Sequence, residues 1–560
     1  MATNNIQVVT PTDTSVDTFG WDTAYIAPFP VVNQAIMKQQ SYPKQFNYSD
    51  VTKITISGNW TSWQLTPGGA GGDVQMICEV QSGTAAGREM EGDLKGSKLL
   101  IQVKLKAVAA TDPINDPTAK DQGKPQKLII NTSGVGLDPA VSVISGEFPN
   151  ITDDLLKDVL PSIFSKYFNE KISEFGHVFA VMNLNEVADK DGFQWLKPTA
   201  FQYAVASPED GSLENSAFGL IAMVQNHPVP PTMQQAVDVR ALLNLPKGAN
   251  SSFVISETMV AQNMLLHGAI STIQGSSASD FGFSADGLSV TNVKDLVWGN
   301  FATKGGIISP AIAKNNFTMR ADDTYVYLEI ADAKYETSPG ITVHMNLTQK
   351  FTYTTVRAEN GNYVFIPDIT GFGNPSITAN VSVAESLQIA NIVVMAVGAV
   401  AGLLCAVGGF AVKIVEGVAV TVDEAANTAE IVMGEEVMAE AIAESPELLT
   451  TENEAGAAAA DAGAAAPADS SLVQNCGIFT STQFRAGLGL ITAIAGFTPG
   501  IGTQIAQLIA SKKYNDIPAF DNFAANCMGA SVWPGLSDYK LIGASFRSSL
   551  VMALAMDAAS

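Results

Sequence analysis

No charged residue interrupts the chain between Glu385 and Lys413, and this run limits what the sequence can fold into more than any other feature. Its centre reads IANIVVMAVGAVAGLLCAVGGFAV, Ile389 to Val412. As continuous helix it would be roughly 36 Å long, enough to cross a hydrocarbon core of about 30 Å. Such a segment needs either lipid or a large apolar interior around it. A second uncharged run, AGLGLITAIAGFTPGIGTQIAQLIAS, spans Ala486 to Ser511 and is broken at Pro499-Gly500. Between the two, no Lys or Arg occurs from Ile414 to Phe484, a stretch that holds the acidic helical piece EEVMAEAIAE and the tract ENEAGAAAADAGAAAPADSS. That tract offers little to bury and reads as linker. Residues 385–511 are therefore expected to form an inserted hydrophobic helical hairpin, with an acidic, Ala-rich linker over about 423–475.

Three readings of that hairpin stay open. In the first, it enters a bilayer after a trigger, with Val394, Val397, Leu403, Leu404, Leu490 and Ile491 as the inserting side chains. Gly398 and Gly402 give the GxxxG spacing that lets helices approach closely in lipid. Acid would be such a trigger, because protonation discharges the acidic tether. In the second, both segments are apolar helices buried within a large protein, which Gln388, Asn391, the glycines and Pro499 suit. A permanent span fits least well, since no positive flank frames either segment.

The remainder of the chain is water-friendly. At 560 residues it exceeds the size at which one hydrophobic core stops growing, so two or more domains are expected. Charged residues make up 15%, where about 25% is usual, so Ser, Thr, Asn, Gln and Gly must cover much of the surface. The formal net charge of -24 argues against nucleic acid, whose phosphates need clustered Lys and Arg. It also argues, more weakly, against an electrostatic hold on anionic membranes at neutral pH. The opening MATNNIQVVTPTDTSVDTFGWDTAY shows no basic stretch leading into an apolar run, so no signal peptide is expected and synthesis is placed in the cytoplasm. Cys78, Cys405, Cys476 and Cys527 are too scattered for a disulfide framework or a zinc site.

Periodicity assigns the elements. A helix begins at Pro30, with Val31, Val32, Ala35 and Ile36 on one side. KITISGNWTSWQL and KLLIQVKLKA alternate as half-buried strands. A second helix, over Thr152 to Phe175, takes Thr152 as N-cap and carries the apolar stripe Leu156, Val159, Leu160, Ile163, Phe164 and Tyr167; Pro161 should bend or interrupt it. YVYLEIADAKY and GITVHMNLTQKFTYTTVRAENGNYVFI are long strands, the latter with Ile341, Val343, Met345 and Leu347 on one face and a hairpin turn at Asn360-Gly361. The closing SFRSSLVMALAM alternates with Leu550, Met552, Leu554 and Met556 together. Long antiparallel strands with a few amphipathic helices make the class α+β.

The segments TFGWDTAYIAPFPVVNQAI, FGHVFAVMNLNE, FQWLKPTAFQYAVASP and VWPGLSDYKLIGASFRSSL, in that order, resemble the accessory proteins encoded beside clostridial botulinum-type neurotoxins: the OrfX proteins and the forty-seven-kilodalton protein. The resemblance runs from about Thr18 to the last strand and is weakest over about 385–511. It implies the tubular lipid-binding (TULIP) fold, in which long amphipathic helices are wrapped by highly curved antiparallel sheets. The division that follows is 1–250 as one TULIP-like part, 251–384 with 512–560 as a second, β-rich part, and 385–511 as the insertion. It further implies a lipid or other apolar ligand, partners among the toxin-cluster proteins of an insecticidal or toxin complex, and release from a bacterium.

On that reading Leu156, Val159, Ile163, Phe164 and Tyr167 line an acyl-chain groove against the strands; on the plainer one the same stripe packs a closed core. Enzyme chemistry has little support. His177, His227, His267 and His344 lack ligand spacing, GLGLITAIAG does not continue as a nucleotide fingerprint, and neither a GxSxG elbow nor a Walker lysine occurs. No catalytic residue, metal site or cofactor is expected. Trp21 and Asp22 are read as pinning the leading segment through indole packing and a local hydrogen bond, and His177 as a buried interface histidine. Three functions remain: a lipid-binding accessory protein, a membrane-inserting toxin component acting through the hairpin, or a scaffold for cluster partners.

Overall fold

In a computed structural model, residues 15–40, 42–87, 89–109, 125–131, 139–172, 177–183, 194–208, 210–303, 306–322, 325–368, 376–383, 418–423, 428–433, 509, 512–517, 520–529, 531–534 and 536–558 are described. Most of these residues lie in antiparallel sheets, and helices are few and short. The chain divides into two compact units. The first takes Met1–Ser256, Asp521–Ala544 and Ser549–Ser560; the second takes Glu257–Phe520 and Ser545–Ser548. The closing strand, grouped above with the second part, thus belongs to the first. Ser549–Ala558 pairs with Ser251–Ile255, Leu550 standing opposite Ile255 and Met552 opposite Phe253.

In the first unit, Thr23–Pro28 lies between Ala217–Val224 and Ser251–Ile255, two strands its own sequence neighbourhood does not reveal. Helix α1 (Phe29–Gln39) follows directly, with Pro30 in its first turn and Val31, Val32, Ala35 and Ile36 buried as the spacing predicts. Buried Asn33 fixes α1 to the end of the strand Thr55–Leu65: its amide donates to the Leu65 carbonyl at 3.0 Å and accepts from the Leu65 N–H at 2.6 Å. KLLIQVKLKA is two strands rather than one. Lys98–Val103 pairs with Val74–Gly87, and Leu105–Ala109 pairs with Pro125–Ile130 in a different sheet. Lys104 is the break, and it is exposed while Val103 and Leu105 on either side are buried.

Helix α2 (Asp154–Glu170) passes through Pro161 without interruption. Its N-cap is Asp153, one residue beyond the expected Thr152, whose carboxylate accepts from the Leu156 N–H at 2.9 Å. Thr152 is exposed instead.

In the second unit, a run of helix over Glu257–Thr272 has one π-helical turn, Ala261–Leu265, packed against the strands Ser289–Asn292 and Phe317–Ala321. The large sheet is built around the hairpin of Val326–Ser338 with Ile341–Phe351. Alternation changes phase within Val326–Ser338. Two residues, Ala331 and Asp332, stand opposite the single Asn346, and Asp332 takes a left-handed φ of 50°. This bulge keeps Val326, Leu328 and Ile330 on the same buried face as Ala333 and Tyr335. On the opposite face the Asp332 carboxylate pairs with His344 Nδ1 at 2.6 Å and Lys334 Nζ at 3.1 Å.

The expected insertion over 385–511 needs correction. Val418–Asp423 and Thr428–Met433 form an antiparallel pair, and Thr428–Met433 adds to Ser376–Val383, so the large sheet continues into this segment. VAVTVD and TAEIVM are rich in β-branched residues, which favour strand over the helix or linker expected there. Apart from Ile509, the two apolar runs lie outside the described residues, together with the candidates Val394, Val397, Leu403, Leu404, Leu490 and Ile491. Among the described residues, no helix is long and apolar enough to cross a membrane.

Candidate functional sites: two apolar faces

The stripe of α2 faces the strands Gln45–Ser49, Thr55–Leu65 and Val141–Glu147 of the first unit. Leu156, Ile163, Phe164 and Tyr167 are buried and Val159 half-buried. What they meet is protein. The Phe164 ring lies 5.6 Å from Phe46, 5.9 Å from Trp60 and 6.3 Å from Phe148, centroid to centroid. Tyr167 lies 6.2 Å from Phe46 and 6.3 Å from Tyr48, and Phe168, which the spacing did not single out, stacks on Trp60 at 5.9 Å. Gly58 and Gly83 stand opposite each other in the sheet, and a Cβ on Gly58 would meet the Ser82 carbonyl at 2.3 Å. The bare backbone leaves room for Phe46, whose ring edge lies 2.7 Å from that same Cβ position.

Beside α1, a void of about 10 Å³ is lined by Ile36, Tyr42, Pro43, Trp63, Met76, Ile130, His177 and Phe179. That is the space of about one water, short of the several hundred Å³ a ligand pocket needs. His177 sits edge-on to Phe179 at 4.6 Å, and burial pulls its imidazole down to about 4, so it is neutral at ordinary pH. This matches a buried interface histidine. The leading segment is held as expected by Trp21, fully buried with Nε1 donating to the Gln234 carbonyl at 2.8 Å. The bond made by Asp22 is long-range rather than local: its Oδ2 accepts from the Val224 N–H and contacts His227 Nδ1, both at 2.8 Å.

The second face belongs to the hairpin Val326–Phe351. Ile341, Val343, Met345, Leu347 and Phe351 are buried in phase with one another, and across the ladder Leu328 and Ile330 meet Gln349 and Leu347. Gln349 is the exception to this apolar rule. It shares the buried phase, is 1% exposed, and neither its Nε2 nor its Oε1 has a hydrogen-bond partner. Counting the alternation two residues past Leu347 would have found it.

Two units of antiparallel sheet, each with short helices against an apolar face, define a β-rich protein with an extensive enclosed apolar interior. The sequence profile of the OrfX-like family, described as Protein OrfX2/OrfX3/P47, matches residues 18–480, and the chain belongs to that family. It is 27% identical over 284 residues to "Protein OrfX3" of Paraclostridium bifermentans, an overlap of 47% of this chain and 56% of that one. The chain thus spans about half the length of the curated relatives it matches. Its fold is similar to that of P47 from Clostridium botulinum A2, with a TM-score of 0.52 at 18% identity over 74% of this chain and 90% of that one. P47 of Clostridium botulinum E1 gives a TM-score of 0.51 at 14% identity over 96% and 99%.

Proposed function

We propose that the protein is a non-enzymatic, lipid-binding accessory protein of a bacterial toxin or insecticidal complex, working in the manner of the tubular lipid-binding fold. Membership of the OrfX-like family supports the accessory role and its partners among toxin-cluster proteins. The observation that carries the ligand is the buried face of the hairpin Val326–Phe351, where an apolar strip ends on an amide that no protein group satisfies. The α2 stripe, by contrast, is occupied by Phe46, Trp60 and Phe148, which favours the core reading there.

The test is a binding assay on the full chain. The protein is incubated with dispersed mixed bacterial and insect lipids, re-isolated by gel filtration, and extracted with solvent. About one lipid per chain is expected; a lipid-free extract at saturating lipid counts against the reading.

A further inference from the structure

The sheet that packs against α2 ends in a bare edge. Its order runs Gln45–Ser49, Thr55–Leu65, Val74–Gly87, Lys98–Val103, Val141–Glu147, and among the described residues no strand pairs with the outer side of the last. At the start of that strand α2 stands in for the missing neighbour. Asn169 Nδ2 donates to the Val141 carbonyl at 2.7 Å, and its Oδ1 accepts from the Val141 N–H at 3.2 Å. These are the two bonds an added strand would make. Val143, two residues on, turns its N–H and C=O the same way. VSVISGE contains neither lysine nor proline, the residues that commonly blunt an exposed edge. A bulge leaves Ile144 unpaired between Val143 and Ser145, and 47% exposed. Toward the far end of the strand, a groove of about 540 Å³ lies between it and α2, lined by Gly146, Glu147, Phe148 and Pro149 on one side and Lys157, Asp158 and Pro161 on the other.

We propose that this edge is the docking site of an extended, basic peptide segment of a partner protein, which adds to Val143–Glu147 as a further strand. In this mode main-chain bonds hold the peptide and side-chain contacts select it. The open ladder is about 13 Å long at roughly 3.3 Å per residue, which admits a segment of about five residues. Charge sets its chemistry. Lys157 directs its ammonium at Asp154, 3.7 Å away, and Lys98 stands opposite Glu147 in the ladder, beyond ion-pair reach. The exposed carboxylates of Glu147 and Asp158 are thus left to meet lysine or arginine on the added strand. An aliphatic side chain beside them would cover Ile144. A second copy of this chain suits the edge less well, because at a net charge of -24 it brings carboxylates to carboxylates. The interface lies in the first unit and does not depend on the lipid reading.

The experiment titrates the full chain into two fluorescein-labelled peptides at about 0.15 M salt, with anisotropy as readout. One peptide is four Lys-Val repeats; the other is four Lys-Pro repeats, which carry the same charge but cannot join a ladder as a strand. Wild type should bind the first about tenfold or more tighter than the second, and hydrogen exchange at residues 143–147 should slow in the complex. Glu147→Lys with Asp158→Lys should weaken that binding about tenfold or more, while Glu214→Lys, at an exposed carboxylate outside the groove, leaves it unchanged. Val143→Pro removes an outward N–H without taking a bond from the sheet, and should abolish the preference for Lys-Val. The surface charge variants keep the test available should the proline variant fold poorly. Equal binding of both peptides by wild type, a preference that survives in folded variants, or protection elsewhere in the chain would overturn the assignment. Wild-type dimers on gel filtration that vanish in Val143→Pro would also overturn it, giving the edge to a second copy. Lipid uptake is read separately and is untouched by any of these results.

Discussion

Replacing Phe164 by alanine separates a filled core from a ligand-lined groove at the α2 stripe. The ring is fully buried among Phe46, Trp60 and Phe148, at 5.6, 5.9 and 6.3 Å. Withdrawing a phenylalanine side chain from the interior forfeits about 1.5–3 kcal/mol of transfer free energy. Phe46 and Trp60 are carried by neighbouring strands and Phe148 by the segment just after a third, which holds the rings apart and limits collapse into the gap. The cavity therefore brings the loss to about 3–5 kcal/mol. In a unit this large, at about 2 °C per kcal/mol, the midpoint should fall by roughly 6–10 °C. The assay is calorimetry on lipid-free protein, with urea unfolding followed by intrinsic tryptophan fluorescence. A loss below about 1 kcal/mol, coupled to loss of a bound lipid, would refute this reasoning and return the groove to α2.

Further expectations follow from single contacts. Asp153→Ala removes the N-cap of α2 and should cost about 1 kcal/mol in urea unfolding, whereas Thr152→Ala should cost little. Gly58→Ala drives a methyl into the Ser82 carbonyl and should destabilise by about 1–3 kcal/mol, read as a lowered melting temperature. Burial works to raise the Asp50 carboxyl, but bonds from Thr52, the Ile54 N–H and Lys166 outweigh it and hold the group below the usual carboxylate range. A lowered folded value stabilises above the ordinary range near pH 3.9 and is lost as pH falls through the depressed one. Asp50→Asn should thus cost about 1–3 kcal/mol at pH 7, and a pH series of melting curves should show the gap closing in acid.

Local features were legible in the sequence because local physics sets them. Alternation marks Thr55–Leu65 and Ile341–Phe351 as strands, Pro30 opens α1, and Asn360-Gly361 lies in the turn joining Tyr353–Arg357 to Tyr363–Pro367. Partners were not legible, because period two identifies a strand without saying what lies beside it. Thr23–Pro28 finds its neighbours some 200 residues away, and Ser251–Ile255 pairs some 300 residues onward with Ser549–Ala558, whose two faces are both buried where alternation suggested one. The same distance problem hid the reach of Asp22 to Val224 and His227. Composition misled at 418–433, where a low-charge stretch beside an acidic linker turned out to continue the sheet. Of the candidate site, the apolar faces were visible, but which one is filled depends on side chains from other strands. Gln349 carried a signal of its own, a polar residue in an apolar phase.

The central claim is that the protein encloses an apolar ligand, and native mass spectrometry of the full chain tests it most directly. Spectra taken before and after denaturation should differ by the mass of about one lipid per chain, released only when the fold is lost. A native mass equal to the bare chain, unchanged after incubation with fatty acid and phospholipid, would contradict the account and make both apolar faces packed cores.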